Sequence, residues 1–177
     1  MSVQRRRVAV TGLGAVTPLA HSVRPFWEAL LAGRSGVAPI TLYDHSRHDI
    51  HIAGEVKDFN PEDYIDKREA RRADRFTQFA LVAAKEAIRD AGLDLGKEDT
   101  SRIGVLIGSG IGGITEIEAQ KERMMAKGPG RVSPLLVPKL MANAASAVVS
   151  IQHKLRGPNF TIVTACAAGA QAIGEAF

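Results

Sequence analysis

The only cysteine of the sequence, Cys166, sits inside "TIVTACAAGAQAIGEAF", residues 161–177. The β-branched run Thr161, Ile162, Val163, Thr164 before it has the pattern of a buried strand. After it, Ala167, Ala168, Ala170, Gln171 and Ala172 favour helix. Cys166, Ala170, Ile173 and Phe177 follow at steps of four, three and four, so they share one helical face. The thiol is therefore expected at a strand-to-helix junction, in the first turn of the helix. Unpaired amides and the positive end of the helix dipole favour a thiolate there. Such settings bring a cysteine pKa from about 8.5 into a range of roughly 3.5–7.5. The same amides can donate to an oxyanion growing on an attacked carbonyl. Small neighbours, Ala165, Ala167, Ala168 and Gly169, leave room for a substrate. On local physics alone, a buried structural cysteine stands as the alternative.

Other residues imitate chemistry without completing it. "GSGIGG", residues 108–113, satisfies G-x-G-x-x-G between an expected strand and an expected helix, the arrangement that offers amides to a pyrophosphate. A dinucleotide site also needs a strand ending in Asp or Glu about 20 residues later, and that region reads "GPGRVSPLL". "GLGAVT", residues 12–17, has Thr17 where the third glycine belongs. Both are better read as places where backbone packs on backbone. His45, His48 and His51 recur every third residue, yet "DHSRHDIHI" lacks the surrounding pattern of a zinc centre. No metal is expected.

Alternating strands and helices must position the thiol. The run "RRVAVTG", residues 6–12, is expected to be a buried strand, and 23–33 a helix stopped at Gly33. "IHIAGEV" is a second candidate strand. Asn60 and Pro61 form a cap and first helical residue. From Asp74 to Ala91, Phe76, Phe79, Ala80, Ala83, Ala84, Ala87 and Ile88 mark a long amphipathic helix ending at Gly92. "RIGVLIGSG" and "NFTIVTA" are further strands. A helix is expected over "IGGITEIEAQKERMMAKG", and a largely helical stretch over "SPLLVPKLMANAASAVVSIQHKLRG", where Pro138 limits the start. Glycines at strand ends within this alternation indicate an α/β layered fold around a mixed, mostly parallel sheet.

Composition narrows the class. Hydrophobic residues make up 45% of the 177 and charged residues 24%, as in a globular domain. No apolar run approaches the roughly 18–20 residues that span a bilayer. "RRRVAVTGLGAVTPLAHS" imitates a signal peptide, but Gly12, Gly14 and Pro18 break its apolar stretch. A single cysteine rules out an internal disulfide framework and fits a reducing, cytoplasmic setting. The net charge of +4 is scattered and aromatics are 5%, so an acidic protein partner is the more economical reading than nucleic acid.

In order and spacing, "RRVAVTGLGAVTP", "ALLAGRSGV", "DFNPEDYIDKREARRADRF", "RIGVLIGSGIGG" and "LRGPNFTIVTACAAGAQAIGEA" together resemble the β-ketoacyl-acyl-carrier-protein synthases, and most of all their elongating type II members. The resemblance implies a thiolase-like α/β/α fold of two similar halves, with residues 1–177 as the N-terminal half. It implies that Cys166 takes an acyl chain from acyl carrier protein, and that malonyl on a second carrier loses carbon dioxide and attacks the thioester. It gives the Cys166 amide half of an oxyanion hole, and no cofactor. It places Gly110, Ile111 and Ala165 near the acyl pocket. Leu135 and Leu136 fall at a homodimer interface bordering the partner's pocket, where such families carry Phe. Lys67, Arg68, Arg71, Arg72 and Arg131 would steer the acidic carrier, although a solvated helix face has the same composition.

The family's catalytic histidines, lysine and gating phenylalanine belong to its second half, and none of the five histidines here lies in a matching motif. The 177 residues are accordingly expected to be part of a longer or split protein, inactive in condensation by itself. A polyketide or initiation-type ketosynthase, a catalytically silent partner subunit and a Cys-His hydrolase are the competing readings. Retention of Cys166 counts against the silent subunit.

Overall fold

The longest helix begins where the sequence caps it. In the computed structural model, which describes residues 7–177, Asp74 accepts the Phe76 amide and opens α3, Arg75–Asp90. Its inner face buries Thr77, Leu81 and Val82, and Gly92, at φ +64°, turns the chain after it. Burial of an aliphatic side chain such as Leu81 is worth about 1.5–3 kcal/mol. α3 packs on α6, Ala144–His153, and α6 lies against a parallel strand pair, β3 Val105–Gly108 and β4 Asn159–Ile162. The register runs from Val105 beside Asn159 to Gly108 beside Ile162. α7, Ala168–Ala176, packs on both strands as well. One core joins Leu81, Val82, Val105, Val149 and Leu155 to Phe59 and Ile65.

The first expected strand is the largest departure. Residue 6 lies outside the described residues, and 7–12 form no strand. Val8 and Val10 are 56% and 81% exposed. The physical reason is that no strand neighbours it among the described residues: the chain is tied to a helix instead. Leu13 donates to Asp90 Oδ2 at 2.9 Å and Ala15 to Glu86 Oε2 at 3.0 Å. A Cβ at Gly12 or Gly14 would overlap the carbonyls of Ala87 or Ala83. "GLG" is thus backbone packed on helix α3, as its reading predicted.

α1, Val23–Leu31, forms as expected and ends before Gly33, at φ +64°. β1, Val37–Pro39, pairs antiparallel with β2, Ile52–Gly54. The described strands therefore make two separate two-stranded sheets, one antiparallel and one parallel. Beside β1–β2, Glu55 receives the Thr41 and Leu42 amides and the Thr41 hydroxyl. The Thr41 amide and hydroxyl hold its carboxyl below the usual range. Asn60 caps a single tight turn, Pro61–Asp63, instead of a full helix. α2, Lys67–Arg72, follows, capped by Asp66. α4, Ile114–Lys127, leads to α5, Leu136–Leu140, and a break at Met141 separates α5 from α6. Pro138 falls in the first turn of α5, where its missing N–H has no helical acceptor to lose.

Candidate active site

β4 ends at Ile162, and the chain crosses Val163 and Thr164 into a tight turn, Ala165–Ala167, continuous with α7. Cys166 therefore sits in the turn just before α7, slightly ahead of the expected first helical turn. It is unpaired and exposed, which removes the buried structural alternative. Ala165 has φ +48°, a left-handed conformation that costs a non-glycine residue about 1–3 kcal/mol and is found at sites where the surrounding structure enforces it. Among the described residues the Cys166 amide has no hydrogen-bond acceptor, whereas the next amide, Ala167, bonds Thr164 O at 3.1 Å. A solvent-facing thiol and a free amide on one enforced turn can serve attack on a carbonyl and stabilisation of the resulting oxyanion.

The glycine loop abuts this turn. A Cβ at Gly108 would overlap Ala168 and lie 2.6 Å from Gly169 N, so only glycine lets β3 end against the start of α7. The Ser109 amide donates to Ile162 O at 2.9 Å, and Ser109 Oγ accepts the Gly112 amide at 3.1 Å. Ser109, buried in the structure, was not singled out by the sequence, where a polar residue between two glycines was its only signal. Beyond it, Gly110 has open space where a Cβ would stand, and Ile111 is 65% exposed. The structure thus ties the loop carrying Gly110 and Ile111 to the turn carrying Ala165 and Cys166. Leu135 and Leu136, partly buried, lie at the start of α5, which packs on α4 and α6 and reaches the same loop through the Gly113 amide on Leu140 O at 3.0 Å.

α2 buries Ala70 and leaves Lys67, Arg68, Arg71 and Arg72 exposed. Lys67 pairs with Glu62 at 3.2 Å. Arg75, from the same basic run, is structural. It donates to the carbonyls of Phe59 and Val56 and lies over the Phe59 and Phe79 rings at 5.1 and 5.0 Å. Arg131 is exposed in a separate turn against α4.

Four of the five histidines engage other groups. His21 bonds Lys57 O at 2.9 Å, and His45 and His51 bond each other at 2.8 Å. His48 packs on Tyr43. Burial, with Lys85 adding, pushes the His153 imidazole pKa down, and its Nε2 is buried without a partner. No His, Cys, Asp or Glu group of three among the described residues is placed to hold a metal. No helix of the described residues is long and apolar enough to cross a membrane.

Comparison with known proteins places this arrangement. The model of the β-ketoacyl synthase N-terminal domain matches residues 5–177. The chain is 51% identical over 174 residues to 3-oxoacyl-[acyl-carrier-protein] synthase 2 of Staphylococcus aureus (strain COL), covering 98% of this chain and 42% of that protein. It therefore spans less than half the length of that curated relative. Among solved structures, the ishigamide ketosynthase/chain length factor superposes with a TM-score of 0.80 at 31% identity, covering 97% of this chain and 45% of that one. A type II polyketide acyl-carrier protein in complex with its ketosynthase gives 0.79 at 26%, covering 97% and 46%. The fold is thus the thiolase-like α/β fold of these enzymes, over its N-terminal part. With its lone thiol on an enforced turn against a glycine loop, the chain belongs to the β-ketoacyl synthase family.

Proposed function

We propose that this chain is the N-terminal half of an elongating 3-oxoacyl-acyl-carrier-protein synthase of fatty acid biosynthesis, with Cys166 as its nucleophile. Cys166 Sγ attacks the thioester carbonyl of an acyl carrier; the carrier thiol leaves and the acyl group stays on sulfur. Malonyl on a second carrier loses carbon dioxide, and the carbanion formed attacks the Cys166 thioester. A carbon–carbon bond forms, the carbon–sulfur bond breaks, and the thiolate returns. Dividing the reaction in this way is covalent catalysis. The Cys166 amide donates to the oxyanion in both steps.

The observation that carries this reading is the exposed Cys166 thiol with its unbonded amide, on a turn that Ala165 strains and Gly108 brings against the glycine loop. Gly110, Ile111 and Ala165 border the acyl chain, and Leu136 closes it from the neighbouring subunit of a homodimer. Lys67, Arg68, Arg71, Arg72 and Arg131 receive the acidic acyl carrier protein. The carrier-bound ketosynthase among its structural likenesses supports that partner. Two features support a larger assembly: among the described residues β4 has a strand only on its β3 side, and Phe160, Val163, Ile173 and Phe177 around it are exposed. The groups that activate malonyl would belong to a second half, as the family resemblance implies. The cytoplasm is the fitting compartment.

The likeness to polyketide ketosynthases supports a second reading with the same chemistry and another starter; the fatty acid relative, at 51%, favours the first. The test is condensation by the full-length synthase given acyl-carrier and malonyl-carrier thioesters. A β-ketoacyl carrier two carbons longer, with carbon dioxide released, is expected. Free fatty acid as the main product would replace this reading with a hydrolase.

A further inference from the structure

Between α4 and α5 lies a polar relay that neither the thiol chemistry nor carrier docking uses. Lys139 Nζ lies 2.7 Å from Glu116 Oε2, with only 20% and 11% of the two side chains exposed, the most enclosed ion pair among the described residues. The other oxygen, Glu116 Oε1, accepts Gln120 Nε2 at 3.0 Å. Gln120 Oε1 in turn accepts the Ser133 amide at 2.8 Å, and Ser133 Oγ accepts the Leu135 amide at 3.1 Å. Both carboxylate oxygens and both ends of the Gln120 amide are thus satisfied. The relay begins and ends on one short segment, Ser133 to Lys139, and Leu135 and Leu136 lie between its two anchors.

Apolar packing by itself would let a five-residue helix slide along α4, because dispersion contacts are numerous and non-directional. Hydrogen bonds to an enclosed charge have fixed geometry and are costly to leave unmade. The same segment meets the glycine loop at its far end, through the Gly113 amide on Leu140 O.

We infer that Glu116 and Lys139, with Gln120, are positioning residues that fix where Leu136 stands against the acyl chain, and so set chain-length preference without touching substrate. This rests on the reading of Leu136 as a pocket residue. The full-length synthase is compared with E116Q, K139M, the exchange E116K/K139E, and L136A. Measured are kcat/KM for a long and a short acyl carrier, the rate at which iodoacetamide alkylates Cys166, and Tm. E116Q and K139M are expected to change the long-to-short ratio about tenfold, the scale of one charge-assisted hydrogen bond. Alkylation stays unchanged, and the exchange restores most of the ratio. A ratio unmoved in E116Q and K139M while L136A moves it overturns the clasp and spares the pocket. A ratio unmoved even in L136A overturns the pocket reading. Equal loss on both donors with a lower Tm also overturns the clasp, as a purely structural role; should K139M not fold, E116Q decides.

Discussion

Helices α3 and α7 belong to the same layered core and are both rich in alanine, yet they are held in opposite ways. α3 buries Thr77, Leu81 and Val82 and is capped by Asp74. α7 buries only Ala168 and Ala172, while Ile173 and Phe177, on the face of Cys166, are 75% and 59% exposed. The first helix supplies stability. The second supplies position: its start is pinned by the end of β3, and its outer face is left open. A residue that matters to one should barely register in the measurement that reports the other.

Five changes sharpen that contrast. The largest is C166A, expected to abolish acyl transfer from the carrier while leaving Tm within a degree or two of the parent, read by adduct formation and calorimetry. Next comes L81A in the intact synthase. Truncating a fully buried leucine costs about 2–5 kcal/mol, measured by denaturant unfolding, and per folded molecule the acylation rate should be retained. G108V, between the two, forces β3 and α7 apart; a fall in acylation far exceeding the fall in stability is the expected signature.

Smaller again is charge reversal at Arg68, Arg71 and Arg72. Steering acts on encounter, so kcat/KM for the acyl carrier should drop about tenfold at low salt. The deficit should shrink toward physiological ionic strength, where the Debye length is about 8 Å. The smallest effect belongs to Glu55. Its folded pKa is depressed, so its contribution is present above the unfolded carboxyl pKa, about 4.3, and is lost as pH falls through the lower folded value. E55Q should be less stable than the parent at neutral pH, and the difference should close in acid.

The site was more legible in the sequence than the sheet. Cys166 could be placed because the β-branched run and the alanine-rich stretch around it are local signals, and local backbone preference decides a strand-to-helix junction. The close packing of "GLG" and of Gly108 was legible for the same reason, since glycine marks where a side chain has no room. Strand formation by residues 7–12 was not, because a strand depends on a neighbour that no local pattern specifies. Instead Asp90 and Glu86 take the amides of Leu13 and Ala15. The strain at Ala165 was equally hidden, as alanine carries no signal for a left-handed turn. The Glu116–Lys139 pair, 23 positions apart in the chain, was hidden because only the fold-back of α5 on α4 brings it together.

The most direct measurement is peptide mass spectrometry of the full-length synthase after incubation with an acyl-carrier thioester and no malonyl donor. The account predicts one acyl group, as a hydroxylamine-labile thioester, on the peptide containing Cys166, and none in C166A. An unmodified Cys166 peptide, or an acyl group carried by another residue, would contradict it.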